Sequence, residues 1–289
     1  MKIIPSAVRF IVLTLHLESF FVFASSFHPF FKKLIPPHTN YPQGSIKRVT
    51  RNGAKFNLDI SDYMQWYLYV KRVDVSWRIA AERVKRDSIV FDIGSNVGQF
   101  SLSLASFLHT ESGYDIDIYA FEPNPAIFNL FVQNLSLNSD WNPKIIPVQL
   151  ALGSKNGTTY FESGGRNSRA GKITDEKSEV EVKMITIDSF MAELGGYKRI
   201  SFIKIDVEGF EPDVFDGAWS LITSQRPTLF FEFTPTWYRL RNRDPFQLLI
   251  NLRDIQYKLW RETEMGLVPI VEVGIMDNIY QTNILAVPC

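Results

Sequence analysis

The sequence predicts an α/β protein built on a mostly parallel sheet with helices on both faces. Three observations carry this expectation. From residue 88 onward, short apolar runs alternate with amphipathic stretches, the pattern of βαβ units whose strands are buried on two sides. One of these runs, Ile89-Val90-Phe91-Asp92-Ile93, leads into a glycine-bearing turn and then a helix. Another, from Ile200 to Ile205, ends in acids, and open parallel sheets bind their ligands beyond the carboxyl ends of the strands.

Taken in order, residues 46–50 and 55–59 flank Asn52-Gly53, two residues suited to the positive φ of a tight hairpin turn. Residues 63–81 place Trp66, Tyr69, Val70, Val73 and Trp77 at helical spacing. Strands are then expected at 89–93, 116–121 and 145–151, with helices at 100–108 and 127–137 between them. Asn124 caps the second of these helices and Pro125 takes its first position. A less regular region follows, with strands at 158–161 and 180–185 separated by a polar loop, residues 163–178. Strands at 200–205 and 228–233 enclose a helix at 212–221. A helix at 246–255 and strands at 257–260 and 282–287 close the pattern. No internal repeat is present.

Composition narrows the function. Thirty-one basic residues balance 31 acidic ones, so the large charge term of polyphosphate binding is missing and nucleic acid is excluded as a partner. The single cysteine, Cys289, excludes a disulfide framework, a cysteine zinc site and thiol catalysis. The apolar run over residues 11–31 is interrupted by His16 and Glu18. An acid at the middle of a spanning helix costs about 2.5–3.5 kcal/mol, so a helix that packs on the domain or lies at a membrane surface is expected instead. Pro36-Pro37 and Pro42-Gln43-Gly44 mark a linker. Residues 1–44 are read as an accessory segment and 45–289 as one domain. The expected place is the cytoplasm, with weak membrane association through residues 1–34.

The turn Gly94-Ser95-Asn96-Val97-Gly98 lets backbone approach a ligand closely, since glycine tolerates φ > 0 and has no side chain in the way. It departs from the dinucleotide fingerprint G-x-G-x-x-G: Asn96 stands where a glycine would admit a pyrophosphate. A dehydrogenase is therefore disfavoured. Asp92, at the end of the preceding strand, can face a cationic group; the plainer reading is an acid at the core edge satisfied by loop amides. Glu122 ends the next strand, where an acid accepts hydrogen bonds from two ribose hydroxyls. Its plainer reading is an acid beside a helix start. Two features in this order, on these elements, favour the functional readings.

The run Ile205-Asp206-Val207-Glu208-Gly209-Phe210-Glu211 holds the second acidic cluster. Lys204, inside an apolar strand, needs an acidic partner, and one of Asp206, Glu208 and Glu232 is expected to supply it. Glu232 ends the strand at 228–233 and should lie beside Asp206 and Glu208. Glu211 is assigned to the start of a helix, and Asp206 and Glu208 to chemistry.

In this order, DIGSNVGQFSL, FEPNP, IKIDVEGFEPDVFDGA and RPTLFFEF resemble the FkbM-type S-adenosylmethionine-dependent methyltransferases, over residues 53–233. The resemblance implies a class I methyltransferase (Rossmann-like) fold, with a seven-stranded sheet whose last strand is antiparallel. It implies S-adenosyl-L-methionine as cofactor and methyl transfer to a hydroxyl of a sugar, polyketide or other small metabolite. Carried over by position, Asp92, Gly94, Ser95, Asn96 and Gly98 line the methionine part of the cofactor, Glu122 holds the ribose, and Leu152 lies near adenine. His16, His28 and His38 lie in the N-terminal segment and His109 ends a helix. The base is then a carboxylate, Asp206 first and Glu208 second. A cation held by Asp206, Glu208 and Glu232 is the lesser reading, and no metal site is assigned. The rival from another class is a non-catalytic nucleotide-binding or membrane-attached protein that kept the fold.

Overall fold

A computed structural model describes residues 6–70, 74–111, 115–139, 141, 143–162, 171–174, 177–178, 180–195 and 198–289 of the chain. Asn52 and Gly53 take φ of 50° and 81° and connect two antiparallel strands, β1 (Ile46–Arg51) and β2 (Ala54–Asp59). This is the two-residue hairpin expected from their identities. Asn134 and Asn138 reach the edge of β2: the backbone N–H groups of Asn57 and Lys55 donate to their side-chain oxygens at 2.8 and 2.9 Å.

The remaining strands are β3 (Ser88–Ile93), β4 (Ile116–Phe121), β5 (Lys144–Val148), β6 (Ala151–Leu152), β7 (Gly157–Glu162), β8 (Lys172–Thr174) and β9 (Val180–Ile185). After them come β10 (Arg199–Ile205), β11 (Thr228–Phe233), β12 (Tyr257–Thr263), β13 (Gly266–Pro269) and β14 (Thr282–Pro288). Among the described residues the main sheet runs β13-β12-β14-β11-β10-β3-β4-β5. From β5 to β11 neighbours are parallel, and β14 is antiparallel to both β11 and β12. The sheet has eight strands rather than the expected seven. The extra one, β13, folds back on β12 as a hairpin at the edge; four residues with a glycine and a proline show no strand period in the sequence.

Helices cover both faces, because strand side chains alternate between them. On one face Val90, Phe202, Phe230 and Leu285 pack against α4 (Ser76–Ala81) and α5 (Gln99–Thr110). On the other, Phe91, Ile93, Ile203 and Phe231 pack against α7 (Ile187–Leu194), α8 (Glu211–Asp216), α9 (Trp219–Gln225) and α11 (Pro245–Asp254). The other helices are α1 (Ser6–Thr14), α2 (Glu18–Ala24), α3 (Tyr63–Tyr69), α6 (Pro125–Ser136) and α10 (Pro235–Leu240).

Three expected elements divide. Residues 63–81 form α3 and α4, with residues 71–73 outside the described ones. Residues 212–221 break at Gly217, where a Cβ would lie 2.0 Å from the Gly153 carbonyl oxygen, so the chain turns where only glycine fits. Residues 145–151 split into β5 and β6, and β6 leaves for a separate sheet of order β6-β9-β7-β8. Much of the expected loop 163–178 lies outside the described residues, which resume with β8.

The N-terminal run is broken at His16, which takes φ of 52°. Glu18 is buried and pairs with Lys47 at 2.6 Å. Val22, Ile35 and Tyr41 join Ala54, Phe56, Leu58 and Ile60 of the hairpin in one apolar cluster. Ser19 Oγ lies 3.1 Å from the Tyr69 hydroxyl, and the Trp66 indole donates to the Pro36 carbonyl at 2.9 Å. The segment therefore packs on the hairpin and α3. No helix of the described residues is long and apolar enough to cross a membrane.

Candidate active site

Between β3 and α5 the chain turns through Gly94 (φ 79°), Asn96 (φ 49°) and Gly98 (φ 87°). The amides of Gly94 and Ser95 both donate to the Phe121 carbonyl at the end of β4, at 3.0 and 2.9 Å. A Cβ on Gly94 would meet the Asp206 carbonyl oxygen at 1.9 Å, and one on Gly98 the Phe131 ring at 2.4 Å. Both glycines are thus demanded by the protein's own packing. A bulkier residue at Gly94 would disturb the fold together with the site.

Glu122 closes the turn from the β4 side. Its carboxylate accepts the amides of Asn96 at 3.0 Å and Asn124 at 2.9 Å. It is buried, and burial pushes its carboxyl up to about 7 against the pull of those two amides. Asn124 in turn caps α6, accepting from Ala126 at 2.9 Å.

Lys204 finds one partner on the neighbouring strand β3 and another just past the end of its own strand. Its Nζ lies 3.3 Å from Asp92 and 3.6 Å from Asp206, and donates to the Gly94 carbonyl at 3.4 Å. Burial pulls its pKa down, but Asp92, Asp206 and Asp74 outweigh that and hold it above the ordinary lysine value. Asp92 is fully buried and also accepts from Ser101 Oγ at 2.6 Å. The cation that Asp92 faces is therefore the protein's own lysine.

The turn after β10 is held by Glu211, which accepts the amides of Val207 at 3.0 Å and Gly209 at 3.3 Å. Burial pushes this carboxyl up to about 7 as well. Glu211 begins α8, as expected, but its carboxylate reaches backward and fixes the loop that carries Asp206 and Glu208. Glu208 takes φ of 52° and Gly209 φ of 93°, so the strand alternation ends at Asp206.

Two cavities adjoin this turn. The smaller, about 90 Å³, is walled by Gly94, Asn96, Glu122, Ile127, Phe161 and Ile173 among others. The larger, about 690 Å³, is bounded by Ser95, Phe100, Lys204 and Glu232, and by Glu262 and Asn283 from β12 and β14. Asp206 and Glu208 line both. Ligand atoms of Asp206, Glu208 and Glu232 lie within 4.8 Å of one another, so the three carboxylates that strand order brings together are able to share a divalent cation. Gln281 donates to Glu232.

Of the residues picked from sequence, Gly94, Ser95, Asn96, Glu122, Asp206 and Glu208 line one or both cavities. Gly98 shapes the turn from behind, and Asp92 acts through Lys204. Leu152 is buried in the core and is not brought to either cavity; Ile127, Phe161 and Ile173 supply the apolar lining there. Asp74, Glu262 and Asn283 of the larger cavity were missed, because they come from distant segments and carry no local motif.

A sheet in this order, with a glycine turn after its first central strand and helices on both faces, has the class I methyltransferase (Rossmann-like) fold. The sequence matches the Methyltransferase FkbM domain over residues 92–259, more than half of its length, and the chain belongs to that family. It is 29% identical over 160 residues to Methyltransferase 1 of Beauveria bassiana, covering 47% of this chain and 62% of that one. Against the hexuronic acid methyltransferase AglP of Haloferax volcanii it is 29% identical over 148 residues, covering 51% and 56%. The chain thus spans less than two thirds of these relatives' lengths. A solved FkbM methyltransferase from Methylobacillus flagellatus KT aligns with a TM-score of 0.43 at 15% identity, covering 77% of this chain and 52% of that one.

Proposed function

We propose that the chain is an S-adenosyl-L-methionine-dependent O-methyltransferase whose acceptor is a hydroxyl of a small metabolite, of the sugar or polyketide kind. The observation that carries this reading is the position of Asp206 and Glu208 on the wall shared by the two cavities. Residues 45–289 would form the transferase unit, with 1–44 as its accessory segment.

The fit to the cofactor rests on the left-handed turn, the buried acid beside it and the apolar side chains opposite. The bound cofactor supplies a methyl group on a cationic sulfur. Glu122, already holding the turn by two amides, has lone pairs left for ribose hydroxyls. Asp206 takes the proton of the acceptor hydroxyl as the oxygen gains its methyl group, and Glu208 orients that hydroxyl. Lys204 positions Asp206 from behind. The Haloferax volcanii relative, named as a hexuronic acid methyltransferase, supports a sugar-like acceptor. Transfer of a labelled methyl group from S-adenosylmethionine into a metabolite extract tests the reading; cofactor binding without any transfer would sink it.

Glu122 makes the cofactor's affinity depend on pH. With its carboxyl pushed up to about 7 in the unliganded protein, the charged form, which accepts ribose hydroxyls most strongly, is lost as pH falls through that value. Affinity should fall about tenfold from pH 8 to pH 6, measured by calorimetry. Glu122→Gln should bind more weakly throughout and lose the part of this dependence that the acid causes, since an amide has no proton to release in this range. Its NH₂ would also confront one of the two backbone amides. A Glu122→Gln profile parallel to the wild type's would refute the assignment.

A further inference from the structure

We propose that the face formed by α1, α2 and the short 3₁₀ turn Pro29–Leu34 docks on an anionic phospholipid surface. One side of this segment is occupied: Val12, Glu18, Val22 and Ala24 are buried. The opposite side exposes Phe10, Leu15, Phe20, Phe23, Phe27 and Phe30, each between 48 and 76% accessible. Several of these rings pair with one another or with partly buried neighbours. Phe23 and Phe27 lie 5.3 Å apart, and Phe20, Phe21, Phe31 and Phe30 follow one another at 5.4, 6.2 and 6.0 Å between ring centroids. An apolar patch of this kind marks a surface that meets another apolar phase.

Charge selects the occupant. Residues 1–44 contain Lys2, Arg9, Lys32 and Lys33 against the single acid Glu18, and Glu18 is buried against Lys47. Among the described residues the segment's own charge, apart from the Glu18–Lys47 pair, is therefore basic (Arg9, Lys32 and Lys33), although the whole chain is neutral. Arg9 Nε donates to the Lys33 carbonyl at 3.4 Å, which brings these two basic residues to the same edge of the patch. A second copy of the chain docking through the same face would set this basic edge against itself, a like-charge contact that a symmetric interface disfavours. A bilayer with anionic headgroups accepts both halves: rings enter the headgroup–acyl boundary and basic side chains meet the lipid charge. The helices are too short to cross it, so the protein would lie on the surface.

The test is flotation of the full chain with phosphatidylcholine vesicles, with and without about 30% phosphatidylserine, at about 0.1 M salt. Binding to the anionic vesicles should exceed binding to the neutral ones by roughly tenfold or more, since each basic side chain contributes about fivefold. Phe20→Ser/Phe23→Ser/Phe27→Ser should abolish flotation, and Lys32→Glu/Lys33→Glu should reduce it to the level on neutral vesicles. All five side chains lie outside the core cluster, so both variants should keep the wild-type melting temperature and cofactor affinity. The proposal is overturned if the wild type fails to float with the anionic vesicles, or if the folded phenylalanine variant floats equally well. It is also overturned if the wild type sediments as a dimer that the phenylalanine variant dissociates.

Discussion

Asp206→Asn is expected to lower methyl transfer by roughly 10²–10⁴, the usual share of a positioned base, while cofactor affinity stays within a few-fold. The substitution keeps the shape and removes the basicity. Its structural cost should be small, because the Asp206 side chain is 43% accessible and the contacts that fix the turn come from its backbone. The Asp206 amide donates to the Ile93 carbonyl at 3.0 Å, and its own carbonyl packs on Gly94. Lys204 loses one of its two carboxylates and keeps Asp92, the nearer one. Steady-state rates with labelled cofactor, alongside a direct binding measurement, separate the two quantities. A chelator adds a second axis. If Asp206, Glu208 and Glu232 hold a divalent cation, chelation should abolish transfer and Mg²⁺ or Mn²⁺ should restore it. A chelator-insensitive rate that collapses in Asp206→Asn identifies the carboxylate as the base, and full turnover in Asp206→Asn would make this residue structural.

The largest effect on stability is expected at Lys204→Met. Asp92 is fully buried, and the lysine is the cation it faces at 3.3 Å. Removing one partner of a buried pair leaves a charge without compensation, at a cost of about 3–5 kcal/mol. Urea denaturation should show that loss as a lower midpoint with little change of slope. Asp92→Asn in the same chain should return much of it, because an amide needs no counter-ion and still has Ser101 Oγ within reach. A single-variant loss under about 1 kcal/mol would mean that solvent reaches the pair and that Lys204 has no organising role.

How much of this was readable beforehand differs between the elements. The βαβ alternation, the hairpin at Asn52-Gly53 and the glycine turn were legible, since each follows from local periodicity or from positive φ at residues that tolerate it. The acids of the candidate site were legible for the same reason: they terminate strands that are strongly apolar. One partner of Lys204, Asp206, was legible two residues along the chain; the nearer one, Asp92, was not. A lysine in a buried strand announces that it needs an acid, but parallel register alone places Asp92 opposite it. Glu211 looked like an ordinary helix start because its task depends on a backward-reaching rotamer. The break at Gly217 escaped because it falls within a stretch expected as one helix; at His16 the interruption of the apolar run was legible, but the left-handed turn of the backbone was not. Leu152 was placed by motif position, whereas in the structure β6 turns away from the main sheet and takes it into the core.

The order of the sheet bears on how the protein is made. β14 is the last strand in the chain, yet it lies between β11 and β12 and pairs with both, from Thr282 to Pro288. During synthesis every earlier strand leaves the ribosome before the one that must enter between two of them. Until then β11 presents an open edge of Leu, Phe and Phe backbone, the kind of surface that pairs with other chains. The same late strand is preceded by Gln281 and carries Asn283, which bond Glu232 and Glu262 at the larger cavity. The wall of the larger cavity formed by β12 and β14 is therefore finished last, and a nascent chain that already has its glycine turn would still lack it.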